Sequence, residues 1–265
     1  MKAGINLYSV HKLIKTEEGL LDTAMKLKEM GYISMQYSGG PFEPDRLKRV
    51  SDATGLPFVL THMPADRIVD DTDKLMEEHA VFGCKNIGLG SIPIIPMVRE
   101  EDHQVDEKIC KEKLDELNKA GEHMKKNGYS FFLHNHHYEF MRMDNGERIF
   151  DYIMENCPAI NFTLDTYWLQ HAGVDVLATI EKLKGRIGCV HLKDYKIVVD
   201  TKLDYFDACS AYECVGYGNM DFKTIVPKMK EAGTEHFLVE HDTACSTPDP
   251  LGTMEKSIRY IQNEL

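Results

Sequence analysis

One kind of junction recurs along this chain: a helical period rich in Lys, Glu, Leu and Met ends in a glycine, and a short β-branched or aromatic run follows. Glycine just past the last helical turn supplies the left-handed C-cap that side chains with a Cβ adopt only at a cost. The junctions fall at Gly31, Gly55, Gly83, Gly128, Gly185 and Gly233. Six junctions of one kind predict repeated βα units. Strands are expected at Ala3 to Leu7, Tyr32 to Tyr37, Pro57 to His62, Asn86 to Leu89, Ser130 to His134, Asn161 to Asp165, Ile187 to Leu192 and His236 to Glu240. Helical periods are expected at Glu17 to Met30, Asp45 to Ala53, Asp71 to Phe82, Asp106 to Lys126, Val174 to Lys184, Asp221 to Ala232 and Asp249 to Asn263. Eight β units in 265 residues, one per roughly 33, predict an α/β chain folded as a single (β/α)8 TIM barrel. A doubly wound sheet would also alternate β and α, but no G-x-G-x-x-G follows the first strand. No linker or composition break divides residues 1–265, so one domain is expected.

Charge narrows the partners. With 31 Lys and Arg against 43 Asp and Glu, the chain carries a formal net charge of −12 and no basic run, which argues against nucleic acid. No apolar window approaches the length of a membrane span and the N-terminus lacks a cleavage site, so a cytoplasmic protein is expected. Seven cysteines (Cys84, Cys110, Cys157, Cys189, Cys209, Cys214, Cys245) at irregular spacing read as reduced thiols. Nothing specifies an oligomeric state, and a homo-oligomer remains open.

In such a barrel the site forms at the C-terminal ends of the strands. Here the fifth strand ends in His134, Asn135, His136, His137 and Glu139, the sixth in Asp165 with Trp168, the seventh in His191, Lys193 and Asp194, and the eighth in Glu240, His241 and Asp242; His62 ends the third. So many imidazoles and carboxylates at one mouth are costly without a neutralising cation. One divalent metal ion is therefore expected, with Mn²⁺, Zn²⁺, Co²⁺ or Fe²⁺ suited to a mixed N/O set. Any one of Asp165, His191 or Glu240 could instead be an ordinary hydrogen-bonded strand end. Together, on consecutive strands, they are more informative. Glu139 and Glu240 are the carboxylates best placed for proton transfer, and Lys193 suits a substrate oxygen. Trp168 is expected in a loop over the mouth. Asp194 is a candidate to orient a ligand, while Asn6, Tyr8, Gln36 and Tyr37, with His62 and His136, are candidates to line the pocket. Val215 to Asn219, preceding a helix, offers two glycines as a weak phosphate cradle.

These residues resemble the xylose isomerase-like TIM barrels, which include sugar phosphate isomerases and epimerases. The resemblance spans nearly the whole chain and is densest in HNHHYEF, LDTYWLQHAG, GRIGCVHLKDY, VGYGNMDF and VEHD. It implies Asp165, His191 and Glu240 as metal ligands. Where many members read Leu-Glu-Asn, this chain reads Leu133-His134-Asn135, so the fourth ligand is either His134 or Glu139 reaching back from the loop; the HNHxxEF subgroup inclines the reading to Glu139. The resemblance implies a sugar isomerase or epimerase acting on a ketose or keto-sugar, possibly phosphorylated, through an enediolate. The second reading is a lyase or dehydratase acting on a 3-keto-glycoside or keto-inositol. A third is a non-catalytic sugar-binding barrel. The family's DNA-repair branch needs ligands on strand four that this chain lacks.

Overall fold

A computed structural model describes residues 1–199 and 208–265, with Ala208 and Cys209 described in their backbone only. Its elements are β1 (Gly4–Asn6), α1 (Glu17–Met30), β2 (Met35–Tyr37), α2 (Pro44–Thr54), β3 (Phe58–Met63), α3 (Ala65–Asp70), α4 (Thr72–Val81), β4 (Asn86–Leu89) and α5 (Glu107–Lys126). They continue as β5 (Ser130–His134), α6 (Ile149–Asn156), β6 (Ile160–Asp165), α7 (Thr166–His171), α8 (Val176–Lys182), β7 (Ile187–Leu192), β8 (Asp194–Val199), β9 (Ala208–Glu213), α9 (Phe222–Glu231), β10 (His236–Val239) and α10 (Pro250–Glu264).

Eight parallel strands close into a barrel in the order β1-β10-β7-β6-β5-β4-β3-β2. Each overlaps one of the eight strands expected from the sequence. All six junction glycines sit at positive φ, between 71° and 101°. That conformation turns each helix end back toward the next strand.

The barrel interior is filled. Leu60, Phe132, Cys189 and Leu238 form a separate buried apolar cluster. Each precedes by two residues a polar side chain at the mouth: His62, His134, His191 and Glu240. Residues two apart point to the same face of a strand, so the apolar cluster is the floor on which the polar layer stands.

Three departures from the expected elements matter for the site. Trp168 lies in the helix α7 rather than a loop, because the Asp165 carboxylate caps that helix by accepting from the N–H groups of Tyr167 (3.0 Å) and Trp168 (3.2 Å). An antiparallel hairpin, β8 with β9, follows β7 before the chain returns to the barrel. The helix expected at Asp71 to Phe82 is preceded by a further short helix, α3. The six cysteines whose side chains are described are buried free thiols, and no helix among the described residues is long and apolar enough to cross a membrane.

Candidate metal centre

His134, Asp165, His191 and Glu240 each offer one ligand atom at the mouth, and these four atoms lie within 4.8 Å of one another. The register explains the meeting, since Asp165 pairs directly with His191 across β6 and β7. All four side chains are at most 4% exposed.

Each ligand is held from behind by a group that leaves its inner atom free. Asp165 spends Oδ1 on the cap of α7, so Oδ2 faces the centre, 3.3 Å from His134 Nε2. Its backbone is locked to β5, where Asn135 Oδ1 accepts from the Asp165 N–H at 2.9 Å and the Asn135 amide donates to the Asp165 carbonyl at 3.2 Å. His134 has Nδ1 3.0 Å from the Gly90 carbonyl, which can only accept, so Nδ1 carries a proton, and Nε2 turns inward toward Asp165 Oδ2. Glu240 Oε1 accepts from the Asn6 amide at 2.5 Å, and Oε2 turns inward. His191 Nε2 meets Gln36 Oε1 at 2.7 Å, and Nδ1 turns inward.

The inner atoms fit a cation. His191 Nδ1 is buried with no hydrogen-bond partner, 3.0 Å from Glu240 Oε2, which itself pairs with the Lys193 ammonium 2.8 Å away. A buried imidazole nitrogen left in this state is costly, and a lone pair aimed at the point the carboxylates share is what an ion would satisfy. Two imidazoles and two carboxylates form an N₂O₂ donor set, suited to Mn²⁺, Zn²⁺, Co²⁺ or Fe²⁺ more than to the all-oxygen preference of Mg²⁺. This buried group could therefore hold a metal ion.

Lys193 stands beside the group with Nζ 2.8 Å from Glu240 Oε2, 3.0 Å from Asp165 Oδ2 and 3.2 Å from Asp242. Burial alone would raise both buried carboxyls. The Lys193 ammonium and the imidazoles outweigh it and hold Asp165 below, and Glu240 well below, the usual carboxylate range. Burial pulls Lys193 down, but its three carboxylate neighbours hold it well above the ordinary lysine value.

A cavity of about 390 Å³ opens over this centre, walled by Tyr8, Ser38, His62, Ser91, His136, Lys193, Glu240 and Asp242, among others. Of the residues singled out in the sequence, the structure brings Tyr8, His62, His136, Lys193 and Glu240 to the wall of this cavity. Trp168 is not on that wall; it packs on His136 and His137 with centroids 5.2 and 5.1 Å away and lies under the Lys193 ammonium. Tyr37 is buried and donates to the Pro41 carbonyl. Gln36 is fully buried beneath the two rings it touches.

Glu139 stands apart from both the four-residue group and the cavity wall. A 3-10 turn at Tyr138–Phe140 directs its carboxylate back onto the His136 N–H, 2.7 Å away. Burial pushes this carboxyl up to about 7, against the opposing pull of backbone N–H groups. Asp194 also turns away, accepting from the N–H groups of Tyr195, Gly216, Gly218 and Met220 at 2.8 to 3.0 Å. The glycine-rich cradle is thereby filled by the protein's own carboxylate, which leaves Gly216 and Gly218 N–H groups no phosphate to bind. Asn6, a pocket candidate in the sequence, lines the cavity and bonds Glu240, while Asn135 holds Asp165 and carried no sequence signal beyond following a strand.

The family model for xylose isomerase-like TIM barrels matches residues 25–264. An inosose dehydratase of Clostridium tetani (strain Massachusetts / E88) is 31% identical over 158 residues, covering 56% of this chain and 52% of that protein. The chain thus spans about half the length of the curated relatives it matches. A sugar phosphate isomerase/epimerase from Parabacteroides distasonis ATCC 8503 superposes with a TM-score of 0.77 at 22% identity, covering 99% of this chain and 94% of that one. A xylose isomerase-like TIM barrel protein from Mycobacterium smegmatis, in complex with magnesium, gives 0.71 at 16% identity, covering 98% and 95%. At these identities the superpositions speak for the fold. With the barrel closed and the family model matched over nearly its whole length, the chain belongs to the xylose isomerase-like TIM barrel family.

Proposed function

We propose that this chain is a metal-dependent enzyme that moves a proton on the carbon next to the carbonyl of a ketose or keto-sugar, as an isomerase or epimerase. The observation that carries the reading is the convergence of His134, Asp165, His191 and Glu240 on one point beneath the cavity at the barrel mouth. A divalent ion there would polarise the substrate carbonyl and stabilise the charge left when the neighbouring C–H ionises. The residues do the rest. Glu240 borders both the ion position and the cavity, and its carboxylate takes the proton from one carbon and returns it to complete the rearrangement. Lys193, held by Asp242, donates to a substrate oxygen on which charge develops. His62, His136 and Tyr8 bond the hydroxyl groups, and a cavity of about 390 Å³ suits a single sugar ring. Glu139, which the sequence pairs with Glu240 for proton transfer, instead fixes the backbone of the His134–His136 segment.

The second reading keeps the first step and ends in loss of water from a keto-inositol. The similarity to inosose dehydratases favours it. Both readings predict solvent deuterium exchange at the α-carbon, followed by NMR in D₂O with a panel of keto-sugars and inososes. Glu240→Gln should slow exchange by about 10²-fold or more while the fold persists. A new sugar epimer or isomer supports the first reading and an unsaturated product the second. Undiminished exchange in the variant refutes the role of Glu240, and no exchange or turnover with any substrate of the panel, in metal-loaded protein, leaves the non-catalytic sugar-binding barrel.

A further inference from the structure

Gln36 lies between two histidines. Its Oε1 is 2.7 Å from His191 Nε2, and its Nε2 is 3.0 Å from His62 Nε2 and 3.1 Å from Ser38 Oγ. Its side chain is fully buried, so no water competes for these bonds. A side-chain amide presents an acceptor at one end and donors at the other in a flat, fixed arrangement. An imidazole bonded to either end therefore has its tautomer decided.

We propose that Gln36 is a positioning residue that sets two imidazoles to opposite polarity, presenting the His191 Nδ1 lone pair to the ion and the His62 Nδ1–H to a substrate oxygen in the cavity. The proposal rests on the reading of the four-residue group as an ion site. At His191, the amide oxygen accepts from Nε2–H and leaves Nδ1 bare. The contact between Nδ1 and Glu240 Oε2 agrees, because at 3.0 Å it lacks the direction of a hydrogen bond. At His62, the amide N–H occupies the Nε2 lone pair, so the ring proton resides on Nδ1. That nitrogen faces the strip of wall at Gly90, where an added Cβ would lie 2.8 Å from it. Glycine at this position keeps the N–H uncovered within a cavity that both residues line. The group it would meet is an acceptor, a carbonyl or hydroxyl oxygen.

Two variants separate the ends of the amide. Gln36→Glu keeps an acceptor toward His191 but offers an acceptor to His62 as well, which moves the His62 proton to Nε2. Gln36→Met removes both bonds. Long-range ¹H–¹⁵N correlation spectra of ¹⁵N-histidine-labelled, metal-free full-length protein read the tautomers directly. The wild type should show His191 protonated at Nε2 and His62 at Nδ1. Gln36→Glu should change His62 alone and bind Mn²⁺ or Zn²⁺ within about threefold of wild type in competition with a chromophoric chelator. Gln36→Met should bind roughly 10- to 100-fold more weakly, the range for losing a partner that orients a ligand. His191 protonated at Nδ1 in the wild type overturns the proposal, as does unchanged His62 in Gln36→Glu. If Gln36→Met does not fold, the near-isosteric Gln36→Glu carries the test alone. Absence of ion binding in the wild type with both tautomers as stated refutes the ion site and leaves the two-ring assignment standing.

Discussion

Glu139 shows how far a single buried carboxyl departs from what its motif suggests. Its Oε2 accepts from the His136 N–H, and burial, outweighing the pull of nearby backbone N–H groups, lifts it from 4.5 to about 7. Between those values the folded chain keeps a proton that the unfolded chain has released, so stability falls as pH rises through this window and levels off above it. The shift corresponds to about 3 kcal/mol at most. Urea unfolding of wild type and Glu139→Gln between about pH 4 and pH 8 should show the wild type losing up to about that much relative to the variant. Parallel pH profiles would contradict this. Asp165, His191 and Glu240 were legible as candidates because each closes an apolar run, and His134 was legible as one of two choices for a fourth ligand. The choice between His134 and Glu139 was not legible, because the direction of Glu139 is set by one 3-10 turn and not by its spacing in HNHxxEF. Gln36 and Asn6 were visible as strand-end polar residues, but their bonds to His191 and Glu240 span 155 and 234 residues of sequence and leave no local trace.

At the level of elements, α7 and the β8–β9 hairpin are the parts that periodicity does not announce. Six residues, Thr166–His171, are too few to establish a helical repeat, and the helix exists because Asp165 caps it with the oxygen not turned to the centre. The hairpin follows β7 without a glycine junction, so the βα pattern passes over it. Asp194 ties the base of that hairpin to the Val215–Met220 segment through three backbone N–H groups, those of Gly216, Gly218 and Met220. Gly218 permits the close approach, since a Cβ there would stand 2.4 Å from Asp194 Oδ1 and 2.2 Å from the Tyr195 carbonyl. Asp194→Ala strands these donors and should destabilise the protein by about 3 kcal/mol or more, with faster hydrogen exchange at Gly216, Gly218 and Met220. A loss under about 1 kcal/mol in chemical denaturation would show that water replaces the carboxylate at little cost.

Across the whole molecule, the barrel was the most legible feature because one sign, the glycine junction, is repeated and its conformational reason is the same each time. The period of two along the strands then stacks an apolar floor under a layer of polar side chains, which places the site at the C-terminal end of the barrel. The two buried carboxylates and two imidazoles that converge there could hold a metal ion. Metal content by inductively coupled plasma mass spectrometry tests this, using protein purified without chelator and reconstituted with Mn²⁺, Zn²⁺, Co²⁺ or Fe²⁺. About one ion per chain is expected in the wild type and in Glu139→Ala, with loss in Asp165→Ala and His134→Ala. No retained ion in the wild type, or equal retention in the Asp165 and His134 variants, would contradict the account.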